Sequence, residues 1–465
     1  MKKQVKLIVN GKVELVDKGT ILSNVLNIDK PCGGHGTCGK CKVRVNGKEE
    51  LACKYVVESN IEVETIQQST IVSKTGVKEV GRVTKNLSFI LDIGTTTLAL
   101  ALVSTDEKQT IKVVTATNPQ RVFGADIMTR INYCRQNGIT ELHSRLINQI
   151  NAMISQIGFS ADTLYVAGNT TMLHTFFSED CSSIGVAPYT PVFLKEREED
   201  ASKLGLIGVQ KVISVPSIAS FVGADIVAGL FFVGMPEEGK YNFLIDLGTN
   251  AEIVLYSNKQ GVSTAASAGP CFEGANISCG MSATNGAICA YGSNGKNYYY
   301  QTIGNKEPSG ICGTGLIDVV SELVRNGIID ETGYMEDDYA LCDFVYLSRQ
   351  DVRQYQLAKS AVYSAIIALM KTENVSFADI DNVYISGGFS AKINISNAIN
   401  TGLIPKEFLN KSVVVNNSSL QGTIKYACYM GDISQFVDMI KYIDLSTNLH
   451  FSELFIENIN FKSSQ

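Results

Sequence analysis

Alternating apolar and polar positions dominate the start of the chain and predict a small β-rich domain. Apolar residues recur at every second position in several short runs, which is typical of half-buried strands. A Gly11-Lys12 turn separates the first two runs and predicts a hairpin. The predicted elements are strands over residues 3–10, 13–16, 42–45 and 61–66, and a short helix over 21–27 that begins after Thr20. We expect a small mixed sheet wrapped around one helix, similar to a β-grasp.

Two longer apolar segments share one pattern. Residues 89–99 read FILDIGTTTLA, and residues 243–253 read FLIDLGTNAEI. Each predicts a buried strand that ends in an Asp, a glycine turn with small polar residues, and a second apolar strand. Because the copies lie a domain's length apart, they predict two lobes of related topology.

The chemistry of these turns suits a polyphosphate. Glycine allows close approach of the backbone, and Thr hydroxyls and backbone N–H groups donate to phosphate oxygens. Asp92 and Asp246, at the strand ends, can hold hydrated Mg²⁺. A third segment, residues 383–390 (VYISGGFS), predicts a strand that ends in two glycines, which suits an adenosine lying against bare backbone.

A further glycine-rich segment, residues 309–315 (SGICGTG), precedes an apparent helix over 316–325. The N-terminus of a helix favours anions, so Gly313, Thr314 and Gly315 are additional nucleotide candidates. The alternative is a helix N-terminus with no ligand.

Together these segments resemble the two-lobed ATPase fold of actin, sugar kinases and Hsp70 chaperones. The resemblance implies Mg²⁺ or water positioning by Asp92 and Asp246, and adenosine contact by Gly387 and Gly388. It implies that the polyphosphate of ATP is bound by Gly94, Thr95, Thr96 and Thr97 in the first lobe and by Gly248, Thr249 and Asn250 in the second.

Four cysteines near the N-terminus predict a metal centre. Cys32, Cys38, Cys41 and Cys53 follow the spacing C-x5-C-x2-C-x11-C. Four thiolates are the ligand set of a [2Fe–2S] cluster, although the plant-type spacing has a first gap one residue shorter. Structural zinc is the alternative, but zinc sites usually show two C-x2-C pairs or added histidines.

Composition places these motifs in an ordinary globular protein of several domains. A net charge of −6 lacks the basic excess of nucleic-acid-binding proteins. We find no apolar run long enough for a membrane span and no signal peptide, so we expect a cytoplasmic protein with reduced thiols. The fold class is therefore α/β multidomain, with a ferredoxin-like domain over residues 1–66, a polar linker over 67–86, and ATPase lobes over 87–240 and 241–465.

The combination of this cysteine cluster with this ATPase fold resembles the reductive activators of corrinoid proteins. The resemblance extends over nearly the whole chain, including segments 118–120 (NPQ), 123–126 (FGAD), 168–172 (GNTTM), 223–225 (GAD) and 268–274 (AGPCFEG). It implies ATP-dependent transfer of one electron from the [2Fe–2S] cluster to Co(II), which regenerates Co(I). The expected partners are a corrinoid protein of a methyltransferase system and a low-potential electron donor, and we expect a homodimer.

This sequence departs from the larger activators, which carry an extra domain between the cluster and the ATPase lobes. Here the linker over residues 67–86 is too short for one. None of the four histidines follows the D-x-H-x-x-G pattern of base-off corrinoid carriers, so we expect the corrinoid on the partner.

Besides a chaperone-like or nonredox ATPase, two alternative functions remain open from the sequence. One is an ATP-driven electron donor to a dehydratase or reductase, although such activators hold a [4Fe–4S] cluster between subunits. The other is a small-molecule kinase with Asp225 or Asp246 as the catalytic carboxylate. Of the remaining cysteines, Cys271, Cys279, Cys289 and Cys312 are predicted to be packing residues, with a redox role as the alternative. Residues 269–286 are a candidate for the corrinoid-facing surface.

Overall fold

The structure is a computed structural model of the chain. It describes residues 4–26, 28, 34, 36, 41–65, 86–294, 297–388, 392–448 and 450–461. In these residues, no helix is both long enough and apolar enough to cross a membrane.

The N-terminal domain is a mixed five-stranded sheet in the order β2-β1-β7-β4-β5, in which β1 and β7 run parallel. The strands of this sheet are β1 (Gln4–Val9), β2 (Lys12–Asp17), β4 (Lys42–Val45), β5 (Lys48–Leu51) and β7 (Ile61–Thr65), and β3 (Thr20–Ile21) pairs with β6 (Val56–Val57) in a separate two-stranded sheet. The four predicted strands are confirmed. Leu7, Val43 and Val63 are fully buried between the sheet and the segment that follows β2.

The short helix predicted over residues 21–27 is wrong. Instead, β3 leads into a single 3₁₀ turn, Leu22–Asn24. The N–H groups of Leu22 and Ser23 donate to the carbonyl oxygens of Tyr55 and Ala52, at 2.8 and 2.9 Å. The Val25 and Leu26 N–H groups both donate to the Leu22 carbonyl oxygen at 3.2 Å, so the described backbone forms one turn here.

The first lobe contains a six-stranded sheet in the order β10-β9-β8-β11-β13-β12. Its elements are β8 (Leu87–Ile93), β9 (Thr97–Ser104), β10 (Gln109–Thr117), α1 (Ile127–Asn137), α2 (Thr140–Ile157), β11 (Ala161–Gly168), α3 (Thr170–Phe176), β12 (Glu198–Asp200), β13 (Val209–Ser214) and α4 (Ala224–Val233).

The second lobe contains a six-stranded sheet in the order β23-β22-β14-β15-β16-β24, with a three-stranded sheet and a hairpin beside it. Its strands are β14 (Tyr241–Leu247), β15 (Ala251–Tyr256), β16 (Gly261–Ala266), β17 (Ala287–Asn294), β18 (Asn297–Thr302), β19 (Gly310–Ile311), β20 (Tyr339–Cys342), β21 (Val345–Leu347), β22 (Ile380–Ser386), β23 (Ser412–Val414) and β24 (Ile440–Tyr442). Its helices are α5 (Gly313–Arg325), α6 (Arg349–Glu373), α7 (Ile395–Asn400), α8 (Ser418–Tyr429), α9 (Ser434–Met439) and α10 (Phe451–Glu457).

The two large sheets share one topology. In each, three consecutive strands pair antiparallel, β8-β9-β10 in one and β14-β15-β16 in the other. In each, two later strands then add in parallel beside the first, β11 and β13 or β22 and β23. The repeated sequence pattern therefore corresponds to a repeated fold, and the predicted two-lobed ATPase architecture is confirmed.

Helix α8 returns from the second lobe and packs against α4, β8 and β11 of the first. Leu420 and Tyr426 of this helix belong to the same hydrophobic core as Phe89. The crossing with α4 is tight, because a Cβ at Gly422 would overlap the backbone of Ala228. This helix pair is the main packed connection between the lobes.

Candidate functional site

A cleft of about 1530 Å³ brings both repeated turns and the double-glycine turn together. The sequence-predicted residues that line it are Asp92, Gly94, Thr95, Thr96, Thr97, Asp246, Gly248, Thr249, Asn250, Gly387 and Gly388. These residues are far apart in the chain, and they meet because equivalent strand ends of the two sheets face one another.

The loop that connects β8 to β9 is the first predicted phosphate loop, and the loop that connects β14 to β15 is the second. The Gly94 N–H donates to the Thr97 carbonyl oxygen at 3.0 Å, and a Cβ at position 94 would lie 2.6 Å from that oxygen. The second loop closes in the same manner, because the Gly248 N–H donates to the Asn250 carbonyl oxygen at 3.0 Å. Both turns therefore present their hydroxyl and amide side chains at the cleft.

Polar side chains beneath the first loop fix its backbone. Asn118 Nδ2 donates to the Gly94 carbonyl oxygen at 2.9 Å, and the buried guanidinium of Arg130 donates to the Thr95 carbonyl oxygen at 2.6 Å. Asn169 Nδ2 donates to Thr95 Oγ1 at 3.1 Å. The NPQ and GNTTM segments of the sequence thus support the loop from below.

The double-glycine turn lies against the second phosphate loop. Gly387 has φ +122°, and a Cβ there would overlap the Leu247 carbonyl oxygen at the end of β14. Beside it, an added Cβ at Gly388 has no atom of the described residues within 4 Å, its chain neighbours aside. A flat group can therefore approach this backbone, and the residues present fit an adenosine.

Seven carboxylates line the cleft: Asp92, Asp126, Asp225, Asp246, Glu252, Glu273 and Asp351. Burial and the neighbouring carboxylates Asp246 and Asp92 raise the pKa of Asp225 to about 8. Burial raises the pKa of Asp246 to about 6, although a hydrogen bond from Ser386 opposes this shift. Burial also raises the pKa of Glu252 well above its usual range. Crowded buried carboxylates of this kind are stabilised by a nearby cation.

The donor set fits a hydrated magnesium ion rather than a bare one. No group of three or more His, Cys, Asp or Glu side chains in the described residues is arranged to hold a metal ion directly. Mg²⁺ loses its water reluctantly and is often held through one or two carboxylates together with phosphate oxygens. Asp92 and Asp246 are positioned at corresponding strand ends for such contacts.

Two family descriptions match consecutive parts of the chain. "RACo middle region" matches residues 87–238, and "C-terminal domain of RACo the ASKHA domain" matches residues 240–465. A solved structure described as "Reductive activator for corrinoid,iron-sulfur protein" has a TM-score of 0.74 and 26% identity, and the match covers 98% of each chain. The chain belongs to the family of reductive activators of corrinoid proteins.

Curated relatives of this activator are similar over most of its length. The "Corrinoid activation enzyme RamQ" of Eubacterium limosum is 26% identical over 417 residues, which are 80% of this chain and 69% of that protein. The "[Co(II) methylated amine-specific corrinoid protein] reductase" of Methanosarcina barkeri is 24% identical over 377 residues, or 71% of this chain and 68% of that protein.

Two of the four predicted cluster ligands of the activator can be located. Cys41 precedes β4 and Cys53 follows β5, and both are almost fully buried. Because β4 and β5 pair antiparallel with Lys42 opposite Leu51, the two cysteines lie at the same end of this hairpin. Cys32 and Cys38 lie outside the described residues. The part of the ligand set that is described fits a thiolate-bound centre.

The predicted nucleotide residues Gly313, Thr314 and Gly315 are not among the residues that line the cleft. All three are buried at the first turn of α5. Thr314 Oγ1 donates to the Cys289 carbonyl oxygen at 3.0 Å, and a Cβ at Gly315 would overlap the Ile288 carbonyl oxygen. These contacts give the segment a packing role against β17, and nucleotide contact by it stays a prediction.

Cys271, Cys279, Cys289 and Cys312 lie in the second lobe of the activator. Cys271 and Cys312 are buried, and burial raises the pKa of the Cys271 thiol to about 12. Cys279 Sγ accepts a hydrogen bond from the Tyr346 N–H at 3.5 Å. Part of the 269–286 segment lines the cleft, and its contact with a corrinoid partner stays a prediction.

Sequence reasoning missed the residues that hold Asp92. Asn417 Nδ2 donates to Asp92 Oδ2 at 3.0 Å, and Ser419 Oγ donates to Oδ1 at 2.7 Å. The intervening Ser418 shares a hydrogen bond of 2.8 Å with Ser386, which in turn bonds Asp246. The start of α8 therefore contacts Asp92 of the first lobe directly and is linked to Asp246 of the second through Ser386. The only signal in the sequence is the small polar run NNSS before an apolar helix.

Proposed function

We propose that this protein uses ATP to drive the reductive activation of a corrinoid protein. One electron passes from a [2Fe–2S] cluster to Co(II) of the partner and regenerates Co(I) for methyl transfer. The observation that carries this proposal is the single cleft in which two phosphate loops and a glycine turn meet, in a chain of the corrinoid-activator family. The names of the relatives support a corrinoid protein as the partner.

In this proposal, different residues of the cleft bind the phosphates, the adenosine and the magnesium ion. Thr95, Thr96 and Thr97 of the first lobe, with Thr249 and Asn250 of the second, donate to phosphate oxygens, and Gly94 and Gly248 keep the backbone close. Gly387 and Gly388 contact the adenosine. Asp92 and Asp246 orient a hydrated Mg²⁺, which would neutralise phosphate charge when bound.

The cluster ligands of the proposal are Cys32, Cys38, Cys41 and Cys53. Their thiolates would hold two irons, and the iron–sulfur centre would supply a low-potential electron. Burial of Cys41 and Cys53 limits access of water to their side of the site. Solvent exposure and hydrogen bonds to the sulfurs are among the factors that set the potential of such centres.

Energetics explain why an electron-transfer protein would need a nucleotide. Plant-type clusters have potentials near −400 mV, and we take the corrinoid couple to be lower. A gap of ~100 mV corresponds to roughly 2.3 kcal/mol for one electron. A nucleotide supplies such energy only if it binds two conformations with different affinity. Two lobes joined by the α4–α8 crossing provide a natural pair of conformations, open and closed.

The proposal also includes a low-potential electron donor and a homodimer. Anaerobic assays with a purified corrinoid partner and a chemical reductant test the function without the natural donor. We expect the protein to reduce the partner with MgATP, and Asp246→Asn to lose most of this activity. A variant as active as the wild type would contradict the proposed nucleotide site. Sedimentation velocity measures the oligomeric state.

A further inference from the structure

Glu273 connects the two phosphate loops. Its Oε2 accepts a hydrogen bond from Thr249 Oγ1 of the second loop at 2.6 Å, and lies 3.5 Å from Thr96 Oγ1 of the first loop. One carboxylate oxygen is therefore shared by hydroxyl donors from both lobes. Glu273 belongs to the GPCFEG segment between β16 and β17, inside the 269–286 stretch that the sequence made a candidate for the corrinoid-facing surface.

The backbone that carries Glu273 is well anchored. The residue ends a 3₁₀ turn, Pro270–Glu273, between Gly269 and Gly274, which have φ of +76° and +80°. Phe272 is buried and packs edge-to-face on Tyr355 at 5.7 Å between ring centroids. Farther along, the Ser278 N–H donates to Asp351 Oδ1 at 2.8 Å. The side chain of Glu273 can change rotamer while this turn stays in place.

The position of the carboxylate matters because of the donors it uses. Thr96 and Thr249 are the hydroxyls that the proposed function assigns to phosphate oxygens. Carboxylate and phosphate are both oxyanions and accept hydrogen bonds from the same donors. A polyphosphate that reaches these hydroxyls would meet the negative charge of Glu273, and also that of Asp246 nearby. Both anions cannot hold the same donors at once.

We propose that Glu273 is an internal anion that competes with the nucleotide polyphosphate for the hydroxyls of Thr96 and Thr249. The inference rests on the proposed nucleotide site and deepens it. Without nucleotide, the carboxylate links the two phosphate loops. When the polyphosphate binds, it displaces the Glu273 carboxylate from these hydroxyls. The two phosphate loops are then linked through the nucleotide instead of through Glu273. Glu273 is thus a positioning residue that lowers nucleotide affinity and makes lobe contact depend on the ligand.

Isothermal titration of the full-length, anaerobically purified protein with ATP and with inorganic triphosphate tests this competition. We expect Glu273→Gln to tighten the binding of both ligands by about tenfold, because the charge repulsion is removed. Glu273→Ala, which also removes the hydrogen-bond acceptor, is expected to bind at least as tightly. Affinity for adenosine, which lacks phosphate, should not change. A gain of affinity cannot arise from a poorly folded variant.

Two further variants act as controls. Glu273→Asp keeps the charge and should retain affinity close to that of the wild type. Glu238→Gln makes the same change of charge at an exposed position outside the cleft, and should bind like the wild type. Triphosphate binding that is unchanged or weaker in Glu273→Gln, with the wild type binding normally, overturns the role of Glu273 alone. Failure of the wild type and every variant to bind ATP overturns the nucleotide site as well.

Discussion

At the scale of single residues, the cleft contains carboxylates that lie close enough to raise one another's pKa. Asp225 and Asp246 have pKa values raised to about 8 and about 6. The folded state therefore binds more protons than the unfolded chain between about pH 4 and pH 8. Stability from these groups falls as pH rises through this range, because the unfolded state gives up its protons first.

Asp225→Asn removes the carboxyl group that has the higher of these two pKa values. We expect it to raise the melting temperature by about 3 °C or more at pH 8 without Mg²⁺, and by less at pH 5, where the wild-type carboxyl is protonated. Differential scanning fluorimetry at both pH values measures the effect. A gain that is equal at pH 5 and pH 8 would show that the carboxylate charge is not its cause.

A second residue-scale prediction concerns His174, which is fully buried on α3. Its Nδ1 lies 2.7 Å from the Thr170 carbonyl oxygen, and its Nε2 accepts from the Val192 N–H at 3.0 Å. The ring is therefore neutral with the proton on Nδ1, and burial lowers its pKa. We expect the stability contributed by His174 to be lost as pH falls below about 6.5, the ordinary value.

His174→Gln should flatten the acid side of the stability profile between pH 7 and pH 5. Urea denaturation at intervals across this range provides the measurement. If wild type and variant lose stability in parallel, another group is responsible for the acid dependence.

At the scale of elements, the crossing of α4 and α8 depends on a residue without a side chain. Gly422→Ala would place a methyl group against the backbone of Ala228. We expect a loss of about 1–3 kcal/mol in the free energy of unfolding, since backbone atoms cannot move aside as a flexible side chain does.

Gly388→Ala is the matched control, because among the residues that the structure describes, chain neighbours aside, no atom lies within 4 Å of an added Cβ there. It should unfold at nearly the wild-type urea concentration. Equal stability of the two alanine variants would contradict the tight crossing.

The comparison of sequence with structure is clearest for these elements. The strands β8 and β14 could be predicted because apolar runs of strand length end in Asp and Gly, and the same local chemistry occurs twice. The return of α8 to the first lobe could not, because its apolar face suits either core. The contacts of Asn417 and Glu273 depend on that long-range packing, so no local pattern predicts them. In the N-terminal domain, the predicted helix is a single 3₁₀ turn whose Leu22 and Ser23 pair with the 52–55 segment, a contact that the local pattern does not show.

At the scale of the whole molecule, the proposed function requires a cluster held by the N-terminal thiols to supply the electron for the corrinoid. Cys53→Ser removes one predicted ligand from the β4–β5 end of the domain. We expect it to lose most of the bound iron and the [2Fe–2S] signal in the electron paramagnetic resonance spectrum of the reduced protein.

Cys271→Ser is the matched control, since this thiol is buried in the second lobe. It should retain full iron content. A Cys53→Ser protein with unchanged iron content and spectrum would exclude Cys53 as a cluster ligand. Zinc bound to the wild-type protein would instead support a structural zinc site at these cysteines.

The most direct test of the account is a single-turnover experiment in the absence of oxygen. The reduced protein is mixed with a purified corrinoid partner in its Co(II) state, and growth of the Co(I) absorption band is followed with and without MgATP. The account predicts that MgATP raises the rate or extent of Co(I) formation by about tenfold or more, as expected for a few kcal/mol of nucleotide binding energy. Equal Co(I) formation with and without MgATP would contradict it.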